Sequence, residues 1–143
     1  MGRRLVIVGG CVLLLAGCGG TKKEAEVGSL YKRGPVISCL RGHNFTVSTQ
    51  LRDVNFIAYT ATGGGLRAWE NGTNRQVDLI VAFGQSSADA RQTLKGMKRF
   101  ANRPPIFRWR IRRANAVVSF AYRPSQKNEQ LLLSCLNGSI RSS

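Results

Sequence analysis

Acidic residues are scarce in this chain: seven Asp plus Glu stand against 22 Lys plus Arg in 143 residues, a formal net charge of +15. Beyond the N-terminal region the carboxylates are Asp53, Glu70, Asp78, Asp89 and Glu129, scattered singly, so neither a paired acid and base nor an oxygen-ligand metal site is indicated. Histidine occurs once, at His43, and a serine hydrolase would have no other imidazole to use as its base. No Cys-x-x-Cys occurs among the four cysteines, and Gly63-Gly64-Gly65 lacks the Gly-x-x-x-x-Gly-Lys frame of a phosphate loop and reads as a mobile connection. These absences point away from an enzyme and away from a cofactor or metal.

What is present begins at the N-terminus. Arg3 and Arg4 precede an apolar run, Leu5 to Ala16, broken only by Gly9 and Gly10 and too short to span a bilayer. A positive start, an apolar middle and small residues before a cut make a secretory signal. The run ends in Leu15-Ala16-Gly17-Cys18, which resembles the lipobox of bacterial lipoproteins. The resemblance covers residues 1–18 and implies that residues 1–17 are a signal peptide, that Cys18 carries diacylglycerol and becomes the first mature residue, and that the protein is exported. It would then be held by its acyl chains on the extracytoplasmic side of a cell membrane or outer membrane. Two acyl chains anchor firmly, at about 0.8 kcal/mol per buried methylene. Residues 18–29 read as the lipidated Cys and a flexible tether; residues 19–29, fully extended, would reach roughly 36 Å.

With residues 1–17 removed, 126 residues remain, enough for one domain, here residues 30–143. Taking Arg3 and Arg4 from the 22 cations leaves 20 against seven, net +13, so the charge belongs to the domain. Cys11 leaves with the signal and Cys18 carries lipid, so Cys39 and Cys135 remain. In an oxidising compartment they most simply pair. A metal or redox pair joined by His43 is the rival reading.

The pattern predicts α+β: a small two-layer domain, an antiparallel sheet with two or three helices packed on one face. Helices are expected at Ser29–Gly42, at 86–101 behind a Ser86…Asp89 capping box and before Pro104-Pro105, and from Ser125 to a stop at Gly138. Period-two alternation predicts strands at Phe45–Thr49, Asn55–Thr60, Leu66–Glu70, Gln76–Phe83, Ile106–Arg113 and Asn115–Tyr122, with a turn beginning at Asn71-Gly72. A shift of 39 residues sets Leu79, Val81 and Ser86 on Val118, Phe120 and Ser125, a faint ββα repeat.

One stretch carries most of the functional signal. In Phe107-Arg108-Trp109-Arg110-Ile111-Arg112, strict alternation would put Arg108, Arg110 and Arg112 on one strand face and Phe107, Trp109 and Ile111 on the other. Guanidinium groups hold phosphate or carboxylate in bidentate fashion, so the three form a candidate anion-binding ladder, with Arg103, Arg113 and Arg123 nearby. The bland alternative is a solvated edge strand whose charge prevents aggregation. The aromatics of this strand would face the core, leaving Tyr31, Tyr59 and Trp69 for base stacking, which argues against nucleic acid. The expected protein is therefore a non-catalytic binding or envelope-associated lipoprotein for an anionic partner: lipid headgroups, an acidic wall polymer or an acidic protein. The alternative is a small ribonuclease-like hydrolase combining His43 with a carboxylate such as Glu70 and an Arg.

Overall fold

A computed structural model describes residues 30–72, 77–100 and 107–141, with Arg141 described by its backbone alone. The expectations for the signal, for Cys11 and Cys18, for the tether, and for Ser29, Asn74–Gln76 and residues 101–106 fall outside the described residues. Within the described residues nine elements follow one another: α1 (Arg33–Gly42), β1 (Phe45–Ser48), α2 (Phe56–Tyr59), β2 (Gly65–Glu70), β3 (Asp78–Phe83), α3 (Ser87–Arg99), β4 (Trp109–Arg113), β5 (Ala116–Phe120) and α4 (Gln126–Arg141). The five strands form one antiparallel sheet in the order β1-β2-β3-β5-β4. The expected α+β class is therefore present, and β1 and β4 are the edges.

The helices lie on both faces of this sheet, where one covered face was expected. Val36 and Leu40 of α1 and Leu132, Cys135 and Leu136 of α4 pack against Leu66, Leu79, Val81, Phe83, Val118 and Phe120. Ala58 of α2 and Ala90 and Met97 of α3 pack against Ile80, Ala82 and Val117 on the opposite side. The reason is legible in the strands themselves: every residue of β3 and β5 is buried, and an unbroken apolar run such as Leu-Ile-Val-Ala-Phe has no polar side to give to water. As the alternation predicted, Asp78, Ile80 and Ala82 share one face while Val77, Leu79, Val81 and Phe83 share the other.

Asn55–Thr60, expected as a strand, is the helical turn α2. The Asn55 side chain accepts from the Ala58 amide at 2.8 Å, a local bond that offers the backbone an alternative to a sheet ladder. Ala58 points inward and Phe56 is 71% exposed, so the apparent period-two pattern had no buried face behind it. Gly63-Gly64-Gly65 is not a loose connection either. Gly64 has φ 77°, and Gly65 lies so close under the Ala58 carbonyl that a Cβ would collide with it.

The two hairpin-and-helix units repeat in sequence order, and both helices open on a serine: Ser86 accepts from the Asp89 amide at 3.1 Å and Ser125 from the Asn128 amide at 3.2 Å. Yet α3 and α4 lie on opposite faces. Gly138 does not stop α4, which runs on to Arg141 because Ser139 is buried against the start of α1, where its hydroxyl accepts from the Lys32 amide at 3.2 Å. Cys39 and Cys135 are joined, with Cα atoms 5.5 Å apart and a sequence separation of 96, so the bond staples α1 to α4.

Candidate functional site: a basic sheet edge

Among the described residues β4 pairs only with β5, which makes it an edge of the sheet. Register decides where its side chains point. Arg110 and Arg112 lie across from Ser119 and Val117 and share their face, the side on which α3 sits; Trp109, Ile111 and Arg113 lie across from Phe120, Val118 and Ala116 on the α1–α4 side. The structure thus brings two of the three expected arginines onto one face. Arg108 precedes the strand and is exposed. Phe107, also outside the ladder, leaves the side of Trp109 and joins the α2–α3 cluster.

Trp109 is not a core residue: it is 46% exposed, with the Arg123 guanidinium 5.5 Å from its ring centre. An edge strand is covered from one flank only, and alternation alone cannot tell an edge from a centre. Trp109, expected in the core away from the charge, instead stands exposed beside Arg123. Tyr59 is also exposed, on α2, while Tyr31 and Trp69 are half-buried.

Arg110 is the informative residue of the edge. Its Nε is buried, and among the described residues it has no hydrogen-bond partner and no carboxylate is in ion-pair contact with Arg108, Arg110, Arg112 or Arg113. A buried donor without a partner costs about 1–3 kcal/mol unless something supplies an acceptor.

Arg67, on the same sheet face, shows the opposite situation. Its guanidinium donates to both Asp78 carboxylate oxygens at 2.9 and 2.6 Å and to the Asp53 carbonyl at 3.4 Å. It also lies 5.6 Å from the Trp69 ring centre and 5.7 Å from that of Phe107. The Asp78 hydrogen bond raises the Arg67 pKa above its ordinary value; burial opposes this and the negative charges of Asp78 and Asp53 add to it. Asp53 in turn accepts from the Ser48 hydroxyl at 2.5 Å. This cluster consumes its own charges and leaves none for a ligand.

His43 is exposed at the C-terminal end of α1, where its amide bonds to the Cys39 and Leu40 carbonyls. Its ring and the sulfurs of Cys39 and Cys135 lie within 4.8 Å of one another. With the sulfurs joined to each other, neither is a thiolate able to ligate a metal. Glu70 stands across from Phe45, two residues past His43, but forms no ion pair with it.

One residue at the basic edge escaped the sequence reading. The turn between β4 and β5 is Ala114-Asn115, and Ala114 has φ 40°. Asn115 is buried; its Oδ1 accepts from the Tyr31 amide at 2.7 Å, and its Nδ2 donates to the Tyr31 carbonyl at 3.1 Å and the Gly84 carbonyl at 2.7 Å. The chain entering from the N-terminal side is thereby clasped to the turn of the arginine hairpin. An Asn in a two-residue turn was visible in sequence; its partner 84 residues away was not. Comparison with protein-family models, with curated proteins and with solved structures found no match for this chain.

Proposed function

We propose that the protein is an exported lipoprotein, anchored through Cys18, whose domain is a non-catalytic module that binds an anionic partner along the β4 edge. The observation that carries this reading is the contrast in partners: Arg110 has a buried Nε with nothing to donate to, while Arg108, Arg112 and Arg113 stand exposed beside it without a carboxylate among the described residues. A solvated edge that only resists aggregation would not need a buried, unsatisfied guanidinium nitrogen. Phosphate or carboxylate oxygens would satisfy it, and charge-assisted bonds of this kind are roughly twice as strong as neutral ones. The net +13 of the domain would speed the approach of any such partner.

The test is salt elution of the full chain from an immobilised polyphosphate. Replacing Arg108, Arg110 and Arg112 by Ser should release the protein at markedly lower salt than wild type. It should also leave earlier than a control in which Arg41, Arg52 and Lys127, away from this edge, become Ser. Equal elution of the two triple variants would reduce the reading to net charge and sink it. Anchoring is tested separately: the Cys18→Ser chain should lack the mass of the acyl groups.

A further inference from the structure

The β4 edge has a direction, set by where the chain enters the domain. Tyr31 is bonded through both its backbone groups to Asn115, and Lys32 through its amide to Ser139. The Arg33 side chain lies against Gly64, just before β2 begins, and β2 begins at the end of the sheet where β3 finishes and β4 turns into β5. Lys32 and Arg33 therefore stand at the same end of the sheet as Arg112 and Arg113, and all four are exposed. Among the described residues Asp89, at the start of α3, is occupied by the Thr62 hydroxyl and the Gln85 amide, both at 2.9 Å. At the other end of β4, roughly 13 Å away at 3.3 Å per residue, Trp109 offers an exposed indole stacked by Arg123.

We infer that this edge docks on the anionic leaflet of the membrane that holds the chain, with the entry end, Lys32, Arg33, Arg112 and Arg113, nearest the anchor and Trp109 at headgroup depth farther along. The inference rests on the anchored reading above and commits it to one partner, lipid phosphate. Three features support that partner over a soluble polymer. The segment that would lead to Cys18 joins the domain at this basic end, so an anchored domain presents it to the bilayer first. The cations are distributed along an edge strand and the adjoining chain entry, an extended row that suits a flat charged surface. An exposed indole flanked by arginines has the amphipathic character that sits at a membrane interface, its apolar body toward the chains and its N–H toward water. Basic groups near such a leaflet act within about a Debye length, so docking must weaken as salt rises.

The experiment reconstitutes the full chain carrying Trp69→Phe, which leaves Trp109 as the only tryptophan, into vesicles containing brominated lipid. One set is neutral phosphatidylcholine; the other includes phosphatidylglycerol. Far-ultraviolet circular dichroism checks that the variant keeps its fold. Trp109 fluorescence should be quenched in the anionic vesicles, recover as salt is added, and stay largely unquenched in the neutral ones. Changing Arg112 and Arg113 to Ser should lower the docked-to-free ratio at least about tenfold, and changing Arg41 and Arg52 to Ser should leave it nearly unchanged.

Equal quenching in both vesicle types would overturn the docking, as would equal losses from the two double variants. Failure of the anchor shows differently, as failure to float with neutral vesicles. If Trp109 is unquenched in anionic vesicles while polyphosphate retention still depends on Arg108, Arg110 and Arg112, the edge takes a soluble polyanion and the membrane assignment is wrong. The broader anion-binding reading then stands.

Discussion

The two faces of the sheet are built on different terms. Among the described residues, sixteen buried residues form one apolar cluster on the α1–α4 side, closed by a covalent bond between the helices; on the α2–α3 side the cluster has seven, and the remaining surface carries Arg67, Asp78, Arg110 and Arg112. The first face holds the domain together. The second holds charges, and within it one arginine is fully partnered while another is not. The larger apolar core and the contrast between Arg67 and Arg110 thus lie on opposite sides of a single sheet, and each can be altered with limited cost to the other.

The largest expected effect breaks the first face. Changing Cys39 and Cys135 together to Ser should lower unfolding free energy by about 4.7 kcal/mol in the chain-entropy account of a 96-residue separation, measured by urea denaturation. Anion binding by the folded fraction should persist.

Next comes the partnered arginine on the second face. Arg67→Ala leaves the buried Asp78 without its bidentate donor and should cost about 2 kcal/mol, with little change in retention on polyphosphate.

A smaller effect depends on pH. The Thr62 hydroxyl and then the Gln85 amide lower the Asp89 pKa, so its contribution to stability is complete above the ordinary carboxylate pKa of about 3.9. It is lost as pH falls through the lower folded-state value. Asp89→Asn should therefore reduce stability at neutral pH and converge with wild type in strong acid, a difference that thermal melts across that range would reveal.

The smallest expected change in stability is at Arg110. Arg110→Met removes a buried donor that has no acceptor and should leave the melting temperature unchanged or slightly raised, while polyphosphate affinity falls. A substantial loss of stability would mean that Arg110 is structural, and the contrast with Arg67 would fail.

Much of this architecture is legible in sequence because it depends on short-range patterns. The Ser86 cap, the inward and outward sides of β3, and the hairpin around Ala114-Asn115 each follow from a few adjacent residues. Cys39 and Cys135 were paired by elimination. What failed needed the third dimension. Asn55-Phe-Ile-Ala-Tyr-Thr alternates like a strand, but a local Asn cap decided it. Trp109 looked like core because an edge strand and a central one have the same alternation, and only strand order tells them apart. The continuous apolar character of β3 and β5 already indicated two covered faces; the count of helices alone did not. Of the basic edge, the sequence exposed the arginines, and the structure added which of them lacks a partner and where the chain enters beside them.

The bond between α1 and α4 also sets how this protein would respond to being pulled. Tension applied between the N-terminal segment and the C-terminus meets the Tyr31–Asn115 clasp almost at once and then the covalent link. Every strand of the sheet lies inside the loop that Cys39 and Cys135 close. The clasp passes the first load to the β4–β5 turn; once it parts, the covalent link takes the force, and a domain pulled at its two ends would lose the start of α1 and the end of α4 while the sheet was bypassed.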